Sequence, residues 1–231
     1  MRANSHQISS SQNHVHKDLT ALLARHLGHP FQKPITDFNR AAFDSSIAIW
    51  QASGAKPLIL DAACGVGLST LHLAEQFPDH FVIGVDQSAD RIARNTQWPQ
   101  AMPQNFMRVR ADLVDYWRLL LQSGITLERH YILYPNPWPK IGHLARRWHG
   151  HAIFPTIIAL GGSLECRSNW RIYIEEFSAA LTQVTQQQVA CLPYVPQQAM
   201  TPFEQKYQAS GHALWHCQIQ LEPDTHARLV V

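Results

Sequence analysis

The chain of 231 residues is 45% apolar and 16% charged, which suffices to bury a sizeable core and excludes a disordered tail or a disulfide miniprotein. Its 19 Lys and Arg against 17 Asp and Glu leave a net charge of +2, too balanced for a protein that coats nucleic acid by bulk charge, so any nucleic-acid partner must be held by a local patch. Cys64, Cys166, Cys191 and Cys217 lack the short spacings of a zinc knuckle or redox pair, and no apolar run reaches the roughly 18 residues that span a bilayer; reduced thiols, no metal, no membrane and a cytoplasmic setting are expected.

Residues 1–16 are rich in Ser, His, Asn and Gln, with only Met1, Ile8 and Val15 as sizeable apolar residues, and predict a mobile tail without the apolar centre of a signal peptide. Leu19, Leu22, Leu23 and Leu27, and then Phe38, Ala42, Phe43, Ile47 and Trp50 beyond Pro30 and Pro34, fall at helical spacing. They predict a helical extension over residues 17–54, ahead of a main domain over 55–231. From there short β-rich runs at 57–62, 81–85, 106–109 and 131–134 alternate with helical patterns at 68–77, 88–95 and 113–122. Such alternation means a mostly parallel sheet with helices on both faces. A strand at 163–166, a helix at 169–185 and strands at 189–194 and 212–221 follow. Residues 193–210, with three prolines and no clear period, read as a long functional loop.

The segment 58–69 (LILDAACGVGLS) is an apolar strand that ends in Asp61 and runs through Ala63, Gly65 and Gly67 into a helix. Small residues admit a ligand close to the backbone, and the helix start offers free N–H groups. Asp86, at the end of the second strand, is placed to accept hydrogen bonds from ribose hydroxyls, and Asp112, after the third, lies where a nucleobase edge would sit. Both a nicotinamide dinucleotide and S-adenosylmethionine suit this arrangement. Asp61 would repel the pyrophosphate of the first and attract the ammonium and sulfonium of the second, which favours S-adenosylmethionine as cofactor.

The second informative segment is 134–147 (YPNPWPKIGHLARR), which begins where the fourth strand ends. Three prolines stiffen a loop that carries Asn136, Trp138 and Lys140, suited in turn to a base edge, base stacking and phosphate. Lys140, His143, Arg146, Arg147, His149 and His151 then form the densest cationic stretch of the chain.

YPNPWPK with His143 and Arg146-Arg147 resembles the F-x-D-P-W-x-K…H…R-R pattern of the bacterial tRNA (guanine-N7)-methyltransferase family. SNWRIY (168–173) is similar to that family's T-D-x-x-x-Y, and TPFEQK (201–206), followed by Gly211-His212 and Trp215, to its T-x-F-E-x-R/K. Together with the loop of 58–69 these make four motifs in the right order, covering roughly residues 57–219. The resemblance implies a class I S-adenosylmethionine-dependent methyltransferase: a Rossmann-like, seven-stranded, mostly parallel sheet whose last strand is antiparallel. It implies that Asp61, Ala63, Gly65, Gly67, Asp86 and Asp112 bind the cofactor and that Asn136 holds the catalytic position. It further implies that Lys140, Arg146, Arg147, Asn169, Thr201, Phe203 and Glu204 contact a tRNA substrate, in a monomer or homodimer.

Three departures from the pattern bear on chemistry: Asn136 and Asn169 stand where the family has aspartates, and Ala63 replaces the first loop glycine. Guanine N7 has a free lone pair, so its methylation requires alignment and no proton removal. An amide offers one acceptor and adds a donor where a carboxylate accepts twice, which weakens guanine selection or suits a base with the opposite edge, such as adenine. Bland roles stand beside these: each Asn as a turn residue, Asn169 as a helix N-cap, Trp138 as a core aromatic, Glu204 paired with Lys206 or Arg171, and Cys64 as a small packing residue. A small-molecule methyltransferase and a non-catalytic RNA-binding protein are the competing functional classes.

Overall fold

Seven strands form from the β-rich runs: β1 (Leu58–Ala62), β2 (Phe81–Asp86), β3 (Phe106–Arg110), β4 (Arg129–Leu133), β5 (Gly162–Ser168), β6 (Leu192–Tyr194) and β7 (Leu214–Leu221). The computed structural model describes residues 4–29, 31–94 and 102–223. Residues 1–3 of the expected tail, residue 95 of the fourth expected helix and residues 224–231 of the expected domain lie outside them.

The strands make one sheet in the order β3-β2-β1-β4-β5-β7-β6, in which β7 is antiparallel to both its neighbours and the other strands run in one direction. Strand order reverses beside β1, which pairs with β2 on one side and β4 on the other. The loops leaving β1 and β4 therefore diverge over a crevice at the C-terminal edge, where open α/β sheets bind ligands.

Side chains alternate across the sheet with period two. Leu58 and Leu60 of β1 join the larger core, beneath α1 (Leu19–Gly28), α2 (Asp37–Ala52), α5 (Leu113–Gln122), α6 (Phe154–Ala159) and α7 (Arg171–Thr185). Ile59 faces the smaller core with Leu73 of α3 (Leu68–Gln76), Val82, Tyr131 and Tyr134, and Tyr207 of α8 (Pro202–Ala209) packs there. The short α4 (Ala89–Ala93) follows β2. Helix α5 shows why such segments fold: Asp112 caps it by accepting the Val114 N–H (2.8 Å), and Tyr116, Trp117, Leu119 and Leu120 bury one face. The Trp117 indole N–H donates to Nε2 of the fully buried His130 on β4 (3.1 Å).

The extension over 17–54 is tied into this core. Asn39 on α2 accepts the Asp112 N–H through Oδ1 (3.0 Å) and donates from Nδ2 to Asp115 (2.7 Å).

Two expectations are corrected. The predicted mobile tail is, from Ser5 on, laid across the C-terminal edge: the Ser5 N–H donates to Ser210 Oγ, the Ser10 hydroxyl to the Pro139 carbonyl, and Gln12 is buried against Glu176 and Arg147. Polar side chains hold it there, so a reading based on apolar content misses it. The expected long loop at 193–210 contains α8, capped by Thr201 with Pro202 in the first turn.

Candidate active site

The loop after β1 turns through three left-handed residues, Ala63 (φ 60°), Gly65 (φ 60°) and Gly67 (φ 84°). Ala63 holds a conformation that favours glycine, so the position keeps the backbone of a glycine loop without the glycine. At Gly67 a Cβ would collide with the Arg108 side chain at 2.2 Å, whereas one at Gly65 would meet nothing within 4 Å, so the outer side of the loop faces open space. Cys64, beneath the loop, is buried and its thiol is pushed well up by burial, as a packing residue requires.

Each strand-end acid also holds the protein together. Asp61 is buried and accepts from the Ser69 and Thr70 hydroxyls of α3 (2.6 and 2.7 Å). Burial raises its pKa, the two hydroxyls oppose that, and the Asp86 charge adds to it, giving a value of about 6. Asp86 accepts from the Gly65 N–H (3.0 Å), the Ser88 N–H (2.8 Å) and Arg91 (3.0 Å). Asp112 presents one oxygen to α5 as its cap. The site is negative, and the open loop beside two buried carboxylates fits a cationic ligand.

The loop after β4 emerges next to this one, since Ala62 pairs with Ile132. It is strained at both ends, with Tyr134 at φ 52° and Trp138 at φ 45°. Such backbone persists only where the surroundings fix it, and here they do. At one end, the Tyr134 hydroxyl donates to Glu204 Oε1 (2.6 Å). At the other, the Trp138 carbonyl accepts from Nε and Nη2 of Arg147 (3.2 and 3.1 Å). Between them Asn136 is exposed, its Oδ1 accepting the Trp138 N–H at 3.4 Å, the turn-residue geometry. Lys140 and Arg146 are exposed, and the Arg146 guanidinium lies over the Trp138 ring at 4.9 Å. Trp138 is thus a partly exposed loop aromatic and no core residue.

Arg147 corrects its expectation. It is 0% exposed, stacked on Trp170 and ion-paired with Glu176, which is also 0% exposed. Glu176 further accepts from Gln12, the His16 N–H (2.9 Å) and His149 Nε2 (2.8 Å). Burial would raise its pKa, but His149 and Arg147 outweigh that and hold it at about 2. Arg147 therefore cannot reach an RNA phosphate; it braces the loop. Arg146 and Arg147 point apart because the short 3-10 turn Ile141–Arg146 ends between them.

Thr201 and Glu204, expected at the substrate, are a helix start. Thr201 Oγ1 accepts the Glu204 N–H (3.0 Å), and Glu204, fully buried, binds Tyr134, Arg167 (3.3 Å) and the Met200 N–H, in place of the expected Lys206 or Arg171. Phe203, one residue before Glu204, is 54% exposed and stacks on Tyr207. Asn169 is no N-cap: α7 starts after Trp170, and Asn169 Nδ2 pairs with His212 Nδ1 (3.1 Å). Asp61 and Asp86 end β1 and β2, Asp112 follows β3, Asn136, Lys140 and Arg146 follow β4 and Asn169 follows β5, all on the C-terminal side of the sheet, while Phe203 lies on α8, whose Tyr207 packs against Tyr134. Among the described residues no group of three His, Cys, Asp or Glu could hold a metal, and no helix is long and apolar enough to cross a membrane.

Residues 55–217 match a family model described as "Putative methyltransferase". The chain belongs to this methyltransferase family. It is 26% identical over 198 residues to the tRNA (guanine-N(7)-)-methyltransferase of Acidovorax sp. (strain JS42), covering 78% of this chain and 73% of that one. To the protein of the same name from Halorhodospira halophila it is 27% identical over 180 residues, covering 74% and 78%. Among solved structures it is similar in fold to an antibiotic-related methyltransferase (TM-score 0.55, 16% identity, 83% and 97% covered). It is likewise similar to the 16S rRNA methyltransferase KamB (TM-score 0.54, 16% identity, 83% and 96% covered).

Sequence reasoning missed Gln12, Glu176 and Arg167, which fix the loops, and named His149 and His212 without this bracing role. One signal was available. Glu176 sits at helical spacing among Tyr173, Phe177 and Ala180, all buried, and a carboxylate on an apolar helix face demands a buried cation.

Proposed function

We propose that the protein transfers a methyl group from S-adenosylmethionine to N7 of a guanine in tRNA. The observation that carries this reading is the juxtaposition, at the reversal of strand order, of a negative glycine-type loop and a braced loop bearing Asn136, Trp138, Lys140 and Arg146. The names of the relatives point the same way. S-adenosylmethionine would supply an electrophilic methyl on its sulfonium: the guanine N7 lone pair would form the new C–N bond as the C–S bond breaks, S-adenosylhomocysteine would leave as the neutral thioether with the positive charge passing to the 7-methylguanine, and no proton would have to move. The chain's task is alignment and exclusion of water. The 63–67 loop and Asp61 would hold the methionine end, Asp86 the ribose and Asp112 the adenine. Asn136 and Asn169 would hold the guanine, Phe203 would close over it, and Lys140 and Arg146 would take RNA phosphates.

Incubation with radiolabelled S-adenosylmethionine and unmodified tRNA, followed by nucleoside analysis, tests the reading. Labelled 7-methylguanosine is the expected product. Cofactor binding with label in another nucleoside, or in none, overturns the assignment of the acceptor.

The electrostatics give a second test. With Asp61 titrating at about 6, cofactor affinity measured by calorimetry should be level above neutral pH and fall below pH 6, by up to about tenfold per pH unit. Asp61→Asn should bind weakly with that dependence removed. Undiminished affinity at pH 5 would exclude a role for the Asp61 charge.

A further inference from the structure

The amide of Asn169 ends a chain of three hydrogen-bonded groups that starts in the N-terminal segment. His212 Nε2 faces the Ser5 carbonyl oxygen at 3.1 Å, and His212 Nδ1 faces Asn169 Nδ2 at 3.1 Å. A carbonyl oxygen has no hydrogen to give, so Nε2 of the neutral ring carries the proton and Nδ1 presents a lone pair. Only the NH2 half of the Asn169 amide can meet that lone pair. The Asn169 side chain is thereby fixed in one of its two flips, with its donor turned to His212 and its carbonyl Oδ1 left as the group available to a ligand. The imidazole is itself held, stacked on Tyr207 at 5.3 Å and 16°. Tyr207 packs in turn against Tyr134, the first residue of the strained loop, at 5.5 Å.

We infer that His212 is a positioning residue for base selection: by engaging the Asn169 amide donor it makes this asparagine present an acceptor, the feature a carboxylate would offer at the same place. The N–H groups of a guanine Watson–Crick edge require acceptors, and an adenine edge offers a ring nitrogen that would oppose one. An asparagine free to flip can turn either its donor or its acceptor to a base; one locked by His212 offers only the acceptor, which the adjacent N1–H and N2–H2 donors of guanine both suit and which the N1 lone pair of adenine opposes, leaving adenine its exocyclic amine alone. The segment around Ser5, through its carbonyl, selects the ring tautomer and so belongs to the specificity apparatus. This inference rests on the reading that Asn169 contacts the methylated base.

The test uses full-length variants and kcat/KM for 7-methylguanosine formation on unmodified tRNA. Asn169→Ala examines the underlying reading: if it retains wild-type kcat/KM, Asn169 does not contact the base and the inference falls with it. His212→Phe keeps a ring to stack on Tyr207 and removes both nitrogens. It should lower kcat/KM about tenfold, the effect of one neutral hydrogen bond misdirected. In the His212→Phe/Asn169→Asp double variant a carboxylate accepts in either flip, so activity should return to within about twofold of Asn169→Asp alone. An equal loss from His212→Phe in both backgrounds would mark a merely structural role and overturn the inference, as would no loss in the wild-type background. Nitrogen-15 NMR of the ligand-free protein reads the tautomer without any assay: His212 protonated on Nε2 is expected, and a ring protonated on Nδ1 alone overturns the inference.

Discussion

Arg147→Ala is expected to lower the free energy of unfolding by about 3–5 kcal/mol, because it leaves the Glu176 carboxylate buried without its cation. The loss extends beyond the ion pair. The Arg147 guanidinium also binds the carbonyls of Trp138 and Lys140 and the side chain of Gln12, so the braced loop and the N-terminal segment lose their common anchor. Arg146→Ala, one residue away and exposed, should keep stability within about 0.5 kcal/mol. It should instead weaken RNA binding and reduce the slope of log affinity against log salt by about 0.7–0.9, the share of one phosphate contact. Urea titrations and RNA binding at several salt concentrations separate the two variants. An Arg147→Ala protein of wild-type stability and reduced salt slope would return Arg147 to the RNA surface.

Acidification below pH 6.5 is expected to destabilise the protein steeply, with His130 as the main cause. Its ring is fully buried beside Trp117, and burial lowers its pKa from 6.5 to about 3. In the unfolded chain the ring takes up a proton below pH 6.5, while in the fold it stays neutral and accepts the Trp117 N–H. The unfolded state therefore binds more protons throughout that window. His130 by itself removes about 1.4 kcal/mol per pH unit as pH falls from 6.5 toward 3, and Asp61, raised to about 6, offsets part of this between pH 6 and its ordinary 3.8, where the folded carboxyl takes up its proton first. His149, also buried and lowered, acts in the same direction. Glu176, depressed to about 2, adds a loss below its ordinary value of 4.5, where the unfolded carboxylate gains its proton first. His130→Gln keeps an acceptor for Trp117 and removes the titration. Its unfolding free energy should vary distinctly less between pH 7 and pH 5 than that of the wild type, and an unchanged slope would clear His130.

The sheet was legible in the sequence because its strands are short apolar runs separated by helical periods, and Leu58 to Ala62 or Phe81 to Val85 have few alternatives to a buried parallel strand. Helix α6 was not, since all six of its residues are buried and an apolar run without a polar face carries no helical period. Helix α8 lay in a proline-containing stretch read as loop, although Thr201-Pro202-Phe203-Glu204 has the spacing of a capping box with proline in the first turn. The motifs fall at the C-terminal edge of the sheet, but the sequence did not show the direction of each side chain. Arg146 and Arg147 are indistinguishable in a basic run and end on opposite sides of the chain, one on the Trp138 ring and one in the core. The packed N-terminal segment was hidden for a related reason: its anchors, Ser5, Ser10 and Gln12, bond across more than a hundred residues of sequence, a distance at which composition says nothing.

The position of Ser5 has a practical consequence for anyone who handles the protein. Ser5 lies against Ser210 and His212, on the side of the sheet where the strand C-termini end, whereas Leu221 pairs with Gly162 at the start of β5. A purification tag or fused partner placed just ahead of Ser5 would be brought close to Ser210 and His212, beside the proposed substrate site. The described chain reaches its carboxy-terminal end beside the edge where Leu221 pairs with Gly162, away from Ser5, so a carboxy-terminal fusion is the arrangement to prefer for activity assays and surface immobilisation.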